Sequence, residues 1–210
     1  MLTRHCNRLG LQIENKFVFR SSSWNCVRRI GKIACNENKY RYEMTSTEED
    51  IDSFFSRVFG EKNYISDKSL REQIVTHKSY KHGLKRYNEP FVSVGNAVID
   101  VCLLNHYLES GNFSTIPSYK DLVNLRSPAR LAEVAKKWNP ETATQCILPL
   151  KGPNSPSSSS FEKIYSSIVS GLVAVVYFQK GGVEAMNFCK KSIISDLTKD
   201  FVRPNTVHNQ

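Results

Sequence analysis

The stretch Asn88-Glu89-Pro90-Phe91-Val92-Ser93-Val94-Gly95-Asn96-Ala97-Val98-Ile99-Asp100-Val101 decides how this chain is read. Its apolar positions continue through Leu103, Leu104 and Leu108 and point in nearly every direction around a helical wheel. A helix from about 88 to 108 with that distribution belongs at the centre of a core or at an interface. Glu89 falls in its first turn, where a carboxylate is favoured by the helix dipole and can satisfy orphan amides beside Asn88.

Working outward, the sequence punctuates itself into further helices. Ser46 with Glu49 forms a capping-box pattern ahead of Ile51, Phe54, Phe55 and Val58, which share one face, and Gly60 stops that helix. A short helix is expected over 68–75, followed by a basic loop. Ser118 with Asp121 opens another short helix. Ser127-Pro128 opens the next, which carries Leu131, Val134, Ala135 and Trp138 on one stripe. Residues 139–160, with Pro140, Gly152, Pro153, Pro156 and serines from Ser157, read as a flexible loop. A long apolar helix over about 161–180 is expected to end at Gly181-Gly182, and an amphipathic helix to follow as far as about Asp200. No strand alternation stands out, so the expected fold class is all-α.

Charge divides the chain. It carries +9 formally, but residues 1–42 hold nine Lys or Arg against Glu14 and Glu37, a balance of +7, and the remainder is nearly neutral. A basic, acid-poor segment with Ser21-Ser22-Ser23 and scattered apolar residues has the composition of a mitochondrial transit peptide. A basic arm that binds RNA is the alternative. The expected division is a leader at 1–43, processed somewhere between Ile30 and Met44, a folded body at 44–203 and a tail at 204–210. The run Ile168–Phe178 is too short to cross a bilayer and is interrupted by Ser170 and Gly171. Cys6, Cys26, Cys35, Cys102, Cys146 and Cys189 show neither a C-x-x-C pair nor a histidine at zinc spacing, so neither disulfides nor zinc are expected.

Residues 88–100 resemble the ribonuclease III signature N-E-x-x-E-x-x-G-D-A-V-L-D, matching at Asn88, Glu89, Gly95, Ala97, Val98 and Asp100. Thr76-His77-Lys78-Ser79-Tyr80 is similar to the family's T-H-x-S-Y segment. Leu122-Val123-Asn124 followed by Leu131-Ala132-Glu133-Val134-Ala135 is similar to its L-V and L-A-E-I-A stretch. Val176-Tyr177-Phe178 ahead of Gly181-Gly182 is similar to the close of its penultimate helix. Four such segments in order over roughly 48–200 imply the helical endonuclease domain of that family.

The resemblance also implies where metal ligands would stand: Glu89, Val92 and Asn96 on one helix, and Ser167 and Ser170 on a facing one. Positions i, i+3 and i+7 share a helical face, so carboxylates there would converge on two hard cations that activate water and stabilise the leaving oxygen. One carboxylate in five is a poor ligand set for magnesium. The chain is therefore expected to be a catalytically degenerate pseudoenzyme with no metal and no cofactor, Glu89 serving as a cap and Asp100 as a structural hydrogen-bonding residue. The alternative is an active double-strand-specific endoribonuclease of the type lacking a double-stranded-RNA-binding domain. About ten residues follow the last expected helix, too few for such a domain. Ser93 stands where relatives often carry an aromatic knob, so a rebuilt dimer seam is expected around Phe91, Ser93, Val94 and Val98.

Two basic clusters are candidates for RNA contact. The first is Lys68, Arg71, His77, Lys78, Lys81, Lys85 and Arg86, with aromatic residues interleaved. The second is Arg126, Arg130, Lys136 and Lys137. A degenerate domain of this kind behind a transit-like leader is similar to the fungal mitochondrial large-subunit ribosomal proteins that adopted the ribonuclease III fold. That resemblance implies a matrix protein of the mitochondrial ribosome, bound to large-subunit rRNA and ribosomal proteins and paired as a heterodimer with a second ribonuclease III-like protein. An assembly factor using the domain for pairing is the other partner-binding option.

Overall fold

The computed structural model describes residues 33–36, 39–62, 64–109, 116–150 and 156–199, the first strand and residues 39–40 through their backbone pairing alone. Seven helices, α1 (Glu48–Phe59), α2 (Lys68–Val75), α3 (Glu89–Glu109), α4 (Tyr119–Leu125), α5 (Pro128–Lys136), α6 (Ser158–Cys189) and α7 (Ser195–Thr198), make up most of what is described. Short 3-10 turns lie at Tyr80–Gly83 and Pro140–Thr142, and a π-type turn, Lys190–Ile194, joins α6 to α7.

The expected helices form for the expected reasons, with one shift in register. Ile51, Phe54, Phe55 and Val58 are all buried, and Gly60 ends α1 at φ 62. The capping box, however, is Thr47 with Asp50 rather than Ser46 with Glu49. Both pairs fit the same pattern one residue apart, and Ser46 is occupied elsewhere: its Oγ accepts from Gln145 Nε2 at 3.1 Å. Ser118 and Asp121 form the predicted box on α4, with Ser118 N donating to Asp121 Oδ2 at 3.0 Å.

α6 is the axis of the molecule. From Ile164 to Val176 every residue but Ser167 is buried, and α3 and α5 pack along it. Gly181, at φ 85 and ψ 175, breaks the helix where the Gly-Gly pair was expected to end it. An aromatic group closes the far end: Phe59 lies 5.0 Å from Tyr64 and 5.3 Å from Phe188, and Trp138 stacks on Phe188 at 6.3 Å. By length and composition alone, α3 and the Ser158–Thr198 stretch could each cross a bilayer. The apolar window of the latter is 67% buried inside the fold, as for the core helix of a globular domain.

Two expectations about irregular segments are corrected. Three strands, β1 (Ile33–Asn36), β2 (Lys39–Met44) and β3 (Cys146–Pro149), form a small antiparallel sheet in the order β1-β2-β3. The sheet draws residues 33–36 and 39–43 into the body, where a leader was expected to extend to 43. β2 reads Lys-Tyr-Arg-Tyr-Glu-Met, a period-two alternation that the basic composition obscured. Residues 140–149 are likewise ordered rather than a flexible loop. Asn139 takes a left-handed turn at φ 50, which asparagine tolerates, and β3 buries Cys146 and Leu148 against β2. The leader residues 1–32, Gly152 and Pro153, and the tail 204–210 lie outside the described residues.

Candidate functional site

The site expected between α3 and α6 is a helix crossing made by contact of the two backbones. A Cβ built on Gly95 would fall 1.9 Å from the carbonyl oxygen of Ser170, so only glycine lets the helices approach this closely. Around that contact the polar residues pair across the crossing. Ser170, 1% exposed, donates its hydroxyl to Asn96 Oδ1 at 2.8 Å, with the Ser166 carbonyl a second acceptor at 3.1 Å. Asn88, also buried, donates from Nδ2 to Ile74 O and to Ser167 Oγ, both at 3.0 Å. Ser167 in turn donates to the Ile164 carbonyl at 2.7 Å.

Three of the five positions thus meet as expected, Asn96 with Ser170 directly and Ser167 through Asn88. Glu89 does not join them. It is exposed and accepts from Lys78 Nζ at 2.8 Å, a partner the capping expectation did not foresee, and the carboxylate in return raises the Lys78 pKa. Val92 is half-buried and offers no donor atom. Asn88 spends its side chain on the crossing rather than on the amides of its own helix, because the α2 carbonyl and the Ser167 hydroxyl lie within reach. Among the described residues no group of three His, Cys, Asp or Glu side chains is arranged to hold a metal ion. Asp100 is the structural residue expected: Arg126 Nε donates to its Oδ1 at 2.7 Å, with both side chains 19% exposed.

The basic candidates divide once their partners are seen. Arg126 is held by Asp100. Arg71 is bonded to Asp52 Oδ1 and to the Ile65 carbonyl at 2.6 Å each, with its guanidinium 5.7 Å from the Phe55 ring centre. Lys85 pairs with Glu72 and reaches Gln145 Oε1 at 3.2 Å. Arg130 donates to the Leu197 carbonyl at 2.8 Å. Lys68, Lys78, Lys136 and Lys137 are paired with Glu48, Glu89, Glu133 and Asp196 at the surface. His77 is half-buried with Nδ1 2.9 Å from Ser79 Oγ; burial, and then the Lys78 charge, push its pKa down. Lys81 and Arg86 remain exposed, with no ion pair among the described residues.

On α3, Phe91 and Val98 lean on the core, Val94 is half-buried and Ser93 is exposed. The exposed Ser93 face continues outward through Ala97, Val101 and Leu108, which the expected seam of Phe91, Ser93, Val94 and Val98 did not include, Val101 being 56% exposed. The signal was the i, i+4, i+8 spacing of 93, 97 and 101, hidden because the whole helix is apolar. Cys102, Cys146 and Cys189 are buried free thiols, and burial pushes Cys146 up to about 12.

A helical domain with this crossing is the architecture of a known nuclease fold. The nuclease domain of ribonuclease III from Campylobacter jejuni superposes with a TM-score of 0.52 at 17% identity, covering 74% of this chain and 98% of that one. The family model described as Ribonuclease-III-like matches residues 67–197, and the chain belongs to that family. Two proteins named Ribonuclease 3 from Clostridium kluyveri are each 26% identical over 164 residues, 75% of this chain. The chain spans 63% of the length of those relatives.

Proposed function

We propose that this chain is a non-catalytic member of its family, serving as a structural constituent of the mitochondrial ribosome large subunit. In that role it binds rRNA and ribosomal proteins and pairs with a second ribonuclease III-like protein. The observation that carries the proposal is the Asn96–Ser170 hydrogen bond, at two positions where the family resemblance puts acidic metal ligands. Magnesium takes hard oxygens in near-octahedral geometry, and two ions held together need several carboxylates. The donors here are one carboxylate neutralised by Lys78, two hydroxyls already donating and one amide oxygen already accepting. Such a set does not fit a magnesium pair.

The basic, acid-poor composition of the first 32 residues supports mitochondrial import, and the ribosomal assignment rests on resemblance to the fungal proteins. Pairing is supported by α3, whose exposed face from Ser93 through Ala97 and Val101 carries no charge. A tight homodimer of the purified protein in analytical ultracentrifugation would count against a heterodimer.

Cleavage of a long duplex RNA by the purified full chain, with magnesium or manganese, tests the loss of activity. No cleavage is expected. Robust cutting that disappears in Glu89→Ala would overturn the proposal and return the chain to the active, double-strand-specific endoribonucleases.

A further inference from the structure

Between Tyr80 and Arg86 the backbone takes a course found nowhere else among the described residues. Lys81 (φ 45, ψ 37), His82 (φ 55, ψ 31) and Gly83 (φ 75) are three successive left-handed residues. Only glycine adopts this region without steric cost, and two of the three carry side chains. A strained segment persists where its flanks over-determine it. Here the flanks are fixed. Tyr80 is buried, with the ammonium groups of Lys81 and Lys85 lying 5.5 and 5.6 Å from its ring centre. Lys85 is tied to Glu72 and Gln145, Ser79 Oγ accepts from Ile147 N at 3.0 Å, and Gln73 Nε2 donates to the Tyr87 carbonyl at 3.1 Å.

The turn does not serve the core. Lys81, His82, Leu84 and Arg86 all face solvent, Leu84 at 91% exposure. Of the carboxylates near the turn, Glu72 and Glu89 are neutralised by Lys85 and Lys78 and Glu43 lies on the Tyr80 side, while Lys81 and Arg86 form no ion pair among the described residues. One leucine buries too little to hold a membrane surface. Two cations flanking a bare apolar side chain do match a nucleic-acid strand, where phosphates alternate with sugar and base faces.

We infer that the Lys81–Arg86 turn is an RNA-contacting finger, Lys81 and Arg86 meeting phosphates and Leu84 lying against a sugar or base face between them. The inference rests on the RNA-binding part of the proposed function and narrows two broad basic clusters to one turn. It assigns the paired cations Lys68, Arg71, Lys85 and Arg126 to the fold.

The test is fluorescence anisotropy of the full chain with a labelled hairpin RNA and a labelled single-stranded RNA over a salt series. Lys81→Ala/Arg86→Ala is compared with Lys163→Ala/Lys191→Ala, an exposed charge-matched control. The finger variant should bind about tenfold more weakly or worse, with the slope of log affinity against log salt reduced by about two. The control should stay within about twofold of the unaltered chain, and all melting temperatures should agree. Equal weakening in both variants would overturn the finger and leave RNA binding standing. Failure of the unaltered chain to bind either RNA would overturn both. If the finger variant lost binding to poly-glutamate yet kept its RNA affinity, the turn would belong to an acidic protein partner and the inference would fall.

Discussion

Gly95 of α3 and Ser170 of α6 meet so closely that a Cβ at position 95 would fall 1.9 Å from the Ser170 carbonyl oxygen and 2.5 Å from its carbonyl carbon. Those are backbone atoms, which cannot swing aside as a side chain would. Gly95→Ala must therefore pry the two central helices apart, and a loss of roughly 3 kcal/mol or more is expected. Gly171, one residue along, is the contrast: its nearest neighbour is Ile74 Cγ2 at 3.5 Å, an ordinary contact. Gly171→Ala should cost less than about 0.5 kcal/mol or add helix stability. Urea titrations of the two variants check the difference.

The hydrogen bond beside that contact predicts a smaller effect. Ser170→Ala leaves Asn96 Oδ1 without its donor, with an expected loss of about 1 kcal/mol in the same titration. Asn96→Asp should be milder, because a carboxylate still accepts from the Ser170 hydroxyl. By restoring one acid of several it should also leave the protein unable to cut duplex RNA, as a gel assay would show.

His77 gives the fold a pH dependence. Burial and the adjacent Lys78 lower its pKa from the ordinary 6.5, with Glu89 opposing the shift in part. The unfolded chain therefore takes up a proton before the folded one does, and stability falls as pH drops through 6.5 toward the depressed folded value. Urea midpoints measured from about pH 7.5 down to about pH 5.5 should fall, and His77→Gln should flatten that part of the curve. An unchanged slope in the variant would assign the dependence to other groups.

Most of the helical frame was legible in the sequence because the signals are local. The stripe on α1, the Ser118–Asp121 box and the Gly181 break each lie within a few residues. The sheet was not: β3 pairs with β2 from about 100 residues away in sequence and is only four residues ending in proline, and the alternation of β2 was obscured by its basic composition. At the site, the family resemblance implied that Asn96 and Ser170 face each other. It could not foretell that Glu89 turns to Lys78 while Asn88 takes the inner place. The ion pairs within the basic clusters were hidden for the same reason: Arg126 and Asp100 lie 26 residues apart, and Arg71 and Asp52 lie 19 apart, so their pairing needs the fold.

The sheet also constrains the leader. Processing near Ile33 would preserve β1 and β2, whereas a chain starting at Met44 would lose the β2–β3 ladder and the edge-on contact of Tyr42 with Phe161 at 5.9 Å. The shorter form should be less stable by about 2 kcal/mol in urea. A reporter fused to residues 1–32 should reach mitochondria on that segment alone; retention in the cytosol would favour a basic arm over an import signal.

Sedimentation of the endogenous protein from gently lysed mitochondria on sucrose gradients tests the central claim most directly. The protein should travel with assembled large subunits, stay with them through moderate salt and leave them when the rRNA is digested. Recovery only in light fractions, apart from large subunits at every salt concentration, would contradict a structural place in the ribosome.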